Sequence, residues 1–161
     1  MLSGGDILNL VPGVKVIQYK SLSRVRRIQD IIPPQGLVIL TPTVNSSQGH
    51  WVCLYYHNGI LHFFDSYGNK PDEALTYDKG NLGANERGRL NQLLLESNLP
   101  VDFNNYQLQS ADPSISTCGY WCVIRLWMKD LSTEEFFQIW KLREGQEHLP
   151  DELVEYFVKY S

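Results

Sequence analysis

Apolar and polar positions follow two different periods along this chain: short β-branched or aromatic runs cluster in its middle, and longer helical stripes toward its C-terminal end. Leu37–Thr41 is continuous, apolar and β-branched, the pattern of a buried strand. His50–His57 and Ile60–Asp65 are two strand-like runs separated only by Asn58-Gly59, and Asn-Gly readily supplies the positive φ angles of a tight hairpin turn. Val14–Tyr19 alternates weakly, as an edge strand does, and Val101–Leu108 reads as a further strand. Asp6–Leu10 reads as a single helical turn, while Asn85–Leu95 places Leu90, Leu93 and Leu94 on one helical face. Thr117–Lys129, Thr133–Leu142 and Asp151–Tyr160 complete the helices, with Ser132 and Glu135 forming a capping box for the second. Central strands and C-terminal helices predict an α+β fold, a central mostly antiparallel or mixed sheet flanked by helices, rather than a doubly wound parallel sheet.

Composition narrows the classes. The chain has 161 residues, 43% of them apolar and 20% charged, which suits one domain over 1–161 and excludes disorder, collagen and coiled coil. No apolar stretch approaches the roughly 20 residues of a membrane span. The opening residues, interrupted by Asp6 and Pro12, do not read as a secretory leader. Lysine and arginine total 14 against 18 acidic residues, a net charge of −4, so there is no general basic field for nucleic acid. Arg24-Val25-Arg26-Arg27 is a local exception that reads as a solvated face. An odd count of 3 cysteines without a leader predicts free thiols in a reducing intracellular environment, not a disulfide framework.

Those thiols divide by position. A nucleophilic cysteine must ionise near neutral pH, helped by an imidazole and often by a helix N-terminus. Cys118, in Ser116-Thr117-Cys118-Gly119-Tyr120-Trp121-Cys122, follows the polar loop Ser110–Thr117 and opens an apolar helix. Gly119 lets another group approach the sulfur and leaves its own N–H unobstructed. The alternative is a buried cysteine at a helix start. Cys122, one turn later, and Cys53, in mid-strand, read as core. A zinc site pairing Cys118 and Cys122 with histidines lacks a second ligand pair, so neither a metal nor a cofactor is expected.

His50 stands at the head of a strand after the polar loop Asn45–Gly49, where an imidazole can face a cleft. His57 belongs to the turn and reads as solvated, His62 as packed or at an edge, and His148 lies in a terminal loop. A two-residue turn at Asn58-Gly59 pairs His57 with Ile60, so His50 falls opposite Tyr67 and Asp65 becomes its diagonal neighbour, roughly 7–8 Å away and within reach of an imidazole. Gln109, at the end of the last strand run, has an amide that can donate to an oxyanion, and Gln107 is its alternative.

Taken in order, His50-Trp51, Phe64-Asp65-Ser66, Leu108-Gln109-Ser110 and Cys118-Gly119 resemble the adenain-like cysteine endopeptidases. These are maturation proteases of adenoviruses, related virophages and virus-like transposons, and their core is shared by SUMO and ubiquitin-like-protein proteases. The resemblance covers roughly His50 to Met128, and Leu108-Gln109-Ser110 with Thr117–Cys122 looks closest to the viral and virophage branch. It implies a papain-like, adenain-like fold with His50 as general base, Asp65 as its orienting acid and Cys118 as nucleophile. Gln109 and the Cys118 N–H would form the oxyanion hole, with Trp51 and Gly119 on the substrate side. The implied reaction is cleavage at Gly-Gly or Gly-X-Gly sites in viral capsid precursors, by a monomer in the virion or host cytoplasm. The loop from Gln109 to Cys118, with Pro113 inside it, is longer than is usual in that branch. Activation by DNA and a disulfide-linked peptide, known in adenoviral relatives, is not carried over to this acidic chain. Processing of a ubiquitin-like modifier, acetyl transfer through the same triad, and a non-catalytic binding module are the other function classes.

Overall fold

The computed structural model describes residues 1–43, 46–73, 86–141, 144–146 and 149–161. The expected positions Asn45, Asn85, Leu142 and His148 lie outside the described residues. The elements in chain order are α1 (Gly4–Leu10), β1 (Lys15–Gln18), two 3-10 turns (Tyr19–Arg24 and Ile28–Ile31), β2 (Leu37–Thr43), β3 (Ser46–His57), β4 (Ile60–Phe64), α2 (Arg89–Glu96), β5 (Val101–Phe103), α3 (Cys118–Trp127), α4 (Thr133–Trp140) and α5 (Leu149–Lys159). Among the described residues, five strands form one sheet in the order β1-β2-β3-β4-β5. Its centre is antiparallel, and β1 and β5 add parallel strands at the two edges. This is the expected α+β architecture with a mixed sheet.

Both faces of the sheet are covered, so its central strands are apolar throughout rather than alternating. Val38, Trp51, Cys53, Tyr55 and Phe64 belong to one core, with residues of α1, α3, α4 and α5. Leu37, Ile39, Val52, Leu54, Leu61 and Phe63 belong to a second core, with the 3-10 turns and α2. Membership switches between successive residues, as the period of two in a strand requires. In α3 the buried Arg125 lies over the rings of Tyr55 and Phe136 and donates to the Met128 and Leu131 carbonyls. Its guanidinium thus serves backbone acceptors just beyond the end of the helix, where carbonyls lack intrahelical partners.

The hairpin register is the predicted one: His57 pairs with Ile60 and Cys53 with Phe64. Asn58 and Gly59 take φ values of 53° and 78°, as that turn requires. The Ser132–Glu135 capping box is present at α4. Arg24, Arg26 and Arg27 are exposed, on and just after the first 3-10 turn.

Two expectations are corrected. β5 is short, ending at Phe103 instead of Leu108, because the Asn104 side chain takes over from the ladder. It accepts from the Asp65 N–H at 3.0 Å and donates to the Asp65 carbonyl at 2.6 Å. β3 is longer than expected: it begins at Ser46, so His50 lies within a strand and not at its head. A bulge between Thr41 and Thr43 shifts the β2–β3 register beside His50, and such irregularities re-aim side chains near sites.

Candidate active site

The β3–β4 pairing runs from His57 and Ile60 to Cys53 and Phe64, and the site assembles just beyond that last pair. His50 is backed by β2, where the Thr41 hydroxyl donates to the His50 carbonyl at 2.9 Å. On its other side the chain leaves β4 through a tight turn, with the Gly68 N–H donating to the Asp65 carbonyl at 2.8 Å. Gly68 has φ 79°, and a side chain there would collide with the Tyr106 carbonyl, so glycine is required.

This turn brings the Asp65 Oδ1 to 2.8 Å from the His50 Nε2, both side chains being buried. The same oxygen accepts from the Tyr67 N–H at 2.8 Å. With Nε2 engaged, Nδ1 is the ring nitrogen left for Cys118, whose sulfur the imidazole contacts. The Tyr67 ring stacks on the imidazole at 4.7 Å. His50 is thereby fixed on its edge and on one face.

Cys118 is the first residue of α3. Its sulfur accepts from the Trp51 N–H at 3.4 Å and from the Gly119 N–H. Burial pushes the thiol up, but His50 and these two N–H groups outweigh it, and the net shift is below the ordinary thiol range. For His50 burial works against the imidazolium, yet Asp65 and then Cys118 raise its pKa to about 10. Both shifts favour a thiolate–imidazolium pair at neutral pH.

Gln109 is buried and held on three sides. Its N–H donates to the Ser66 carbonyl at 3.0 Å, its Oε1 accepts from the Ser66 hydroxyl at 2.7 Å, and its backbone carbonyl accepts from the Gln107 amide at 2.8 Å. Among the described residues its Nε2 has two longer contacts, 3.3 Å each, to the Tyr67 hydroxyl and the Ile115 carbonyl. Gln107 is exposed and occupied in holding Gln109. Trp51 and Gly119 meet each other: a Cβ on Gly119 would lie 3.2 Å from the Trp51 ring and 3.0 Å from Leu2, whose carbonyl accepts from the indole at 3.0 Å.

Cys122 and Cys53 are fully buried in the core, and His62 stacks on Tyr55 at 4.8 Å. His57 is partly exposed beside Asp130. Among the described residues no group of three His, Cys, Asp or Glu side chains is placed to hold a metal. None of their helices is long and apolar enough to cross a membrane.

Three contributors escaped the sequence reading. Asn104 clamps the Asp65 backbone, and its signal was a pair of asparagines interrupting an apolar run. Tyr67 stacks on His50, and the hairpin register had already placed it opposite. Asp151, on α5, accepts from the Ser110 N–H, the Thr117 hydroxyl and the Trp121 indole; in sequence it is an ordinary acid in a helix's first turn.

Fold and site together define an α+β domain that buries a Cys–His–Asp constellation at the open end of its central hairpin. No established protein-family model matches the chain. It is 32% identical over 140 residues to the uncharacterized protein V9 of Sputnik virophage, covering 84% of this chain and 80% of V9, and it belongs to the V9 family. The central domain of the uncharacterized Lpg1148 protein from Legionella pneumophila aligns with a TM-score of 0.40 at 15% identity, over 95% of this chain and 92% of that one.

Proposed function

We propose that this virophage-related protein is a cysteine endopeptidase of adenain-like fold, and that it cleaves Gly-containing sites in viral capsid precursors during particle maturation. The observation that carries the reading is the single contact chain Asp65–His50–Cys118, ending on a sulfur at a helix N-terminus. Such an arrangement has the parts of nucleophilic acyl transfer: an activated nucleophile, a base and a group that orients the base.

The Cys118 thiolate attacks the scissile carbonyl carbon, and the carbonyl π electrons move to oxygen. The Gln109 Nε2 and the Cys118 N–H supply donors to that oxyanion. As the oxyanion collapses, the C–N bond breaks and the His50 imidazolium gives its proton to the departing amine, leaving a thioester. Neutral His50 then takes a proton from water as the water oxygen attacks the thioester. Loss of the thiolate releases a carboxylic acid and restores the ion pair. Asp65 keeps the ring oriented throughout and its Nε2 protonated.

Tight surroundings favour glycine at the cut. Cys118 is 3% exposed and His50 4%. A sulfur so enclosed is reached most easily by a chain without a side chain beside the scissile bond.

The test is cleavage of a panel of Gly-Gly and Gly-X-Gly peptides, read by mass spectrometry, beside the same sequences fused to a ubiquitin-like modifier. Cleavage after glycine by the wild type but not by Cys118→Ala is expected. Preference for the modifier fusion would reassign the substrate while keeping the chemistry. Equal turnover by Cys118→Ala would overturn the reading.

A further inference from the structure

We propose that Asp151 is a positioning residue for the oxyanion site: one carboxylate ties both ends of the Ser110–Thr117 loop, setting the Gln109 amide relative to the Cys118 N–H. This inference rests on the endopeptidase reading.

Gln109 and Cys118 must direct donors at one oxygen, and a donor aimed there is effective only within about 2.7–3.1 Å of it. They come from different parts of the chain, joined by a loop with a proline at Pro113. The Asp151 Oδ2 accepts from the Ser110 N–H at 2.9 Å, directly after Gln109. Its Oδ1 accepts from the Thr117 hydroxyl at 2.6 Å, directly before Cys118. The Trp121 indole donates to that same oxygen at 2.9 Å, and the Trp121 N–H donates to the Thr117 carbonyl at 3.0 Å. The loop is therefore closed on one carboxylate at the residues next to the two donors.

Two features separate this from simple helix docking. α5 has its own apolar anchors, Val154 and Val158, both in the core. The three donors to Asp151 come from the loop ends and α3, and none from α5. Thr117 is also diverted from the usual work of its position. As the N-cap of α3 it makes no side-chain cap bond, its hydroxyl donating to Asp151 instead. The first-turn N–H groups of α3 are thus left uncapped by the residue that ordinarily competes for them. At 2% exposure, the carboxylate owes its accommodation to these charge-assisted bonds, and no salt bridge among the described residues involves it.

The experiment compares reactions that do and do not form an oxyanion. A Gly-Gly peptide aldehyde adds the Cys118 sulfur to its carbonyl, giving a hemithioacetal whose oxygen occupies the oxyanion site. Iodoacetamide alkylates the same sulfur by displacing iodide and needs no such site. Asp151→Asn keeps the shape but puts an amide donor against one of the three donors. Thr117→Val removes one bond at nearly constant volume and guards against a folding defect in the first variant.

For Asp151→Asn, kcat on a Gly-Gly peptide and affinity for the aldehyde are expected to fall together, by about 10–100-fold, with KM within about threefold. Thr117→Val falls in the same way by about 3–10-fold, because it loses one bond and sets no donor against another. The pH profile of iodoacetamide labelling at Cys118 stays at wild type in both. Unchanged kcat and aldehyde affinity in folded Thr117→Val would overturn the inference, as would labelling that falls in parallel with turnover. A wild type that neither binds the aldehyde nor labels faster than an ordinary thiol would instead remove the endopeptidase reading, and this inference with it.

Discussion

Cys118 and Cys122 sit one turn apart on the same helix, both inside the protein, and their thiols are driven in opposite directions. Cys122 is wholly enclosed by the core with Cys53 beside it, and burial with nothing to compensate pushes its thiol well up. Cys118 also suffers burial, yet His50 and the N–H groups of Trp51 and Gly119 bring it below the ordinary range. Exposure does not distinguish the two. What differs is the company: one sulfur meets apolar atoms and another thiol, the other an imidazole and two backbone donors at a helix start. On the proposed reading, a reactive cysteine is made here by donors, not by access.

The largest expected break in this contrast is Cys118→Ala, which should lower Gly-Gly peptide cleavage by about 10⁴-fold or more with the melting temperature little changed. Turnover assays and thermal melts on the purified variant check it. Asp65→Asn comes next. The ring then loses the carboxylate that raises it, and cleavage should drop by about 10²–10⁴-fold while the fold persists. Wild-type rates in that variant would show that the 2.8 Å contact has no role in turnover. Asn104→Ala should act more weakly, by about tenfold, since it frees the Asp65 backbone without touching the carboxylate. Cys122→Ala is the smallest for activity. Cleavage should stay near wild type while the stability falls by about 1–2 kcal/mol from the core cavity, measured by urea unfolding. Loss of cleavage with unchanged stability would invert the assignment of the two cysteines.

The pH dependence sharpens the same contrast. His50 is raised from 6.5 to about 10, so its imidazolium persists through neutrality and is lost as pH rises through about 10. Cys118 is lowered, so its thiolate survives below the usual thiol range and is lost only on further acidification. Peptide cleavage should therefore hold a plateau across neutral pH. The acid limb follows protonation of the sulfur, and the alkaline limb, near 10, follows loss of the proton that the leaving amine needs.

Much of this was legible because local rules set it. Asn58-Gly59 determined the hairpin register, and with it the meeting of His50 and Asp65, since a two-residue turn leaves little freedom in pairing. Cys118 at the start of α3 was visible as an apolar stripe beginning after a polar loop. The early start of β3 was hidden because polar residues before His50 mimic a loop, although Ser46 pairs with Thr43. The short β5 was hidden because the bonds replacing the ladder run from the Asn104 side chain to a residue far away in sequence. The choice of Gln109 over Gln107 as the buried amide depends on Ser66, which only the folded turn brings near. Asp151 was the least legible of all, its three donors coming from 30 or more positions away.

The most direct measurement needs no substrate: iodoacetamide labelling of all three cysteines from about pH 4 to 9, resolved by peptide mass spectrometry, with His50→Ala alongside. Cys118 alone is expected to label rapidly below pH 7, with Cys53 and Cys122 inert until the protein unfolds and His50→Ala returning Cys118 to an ordinary profile near pH 8.5. Slow labelling of wild-type Cys118 that titrates near pH 8.5 and ignores the His50 substitution would contradict the activated pair, and with it the endopeptidase reading.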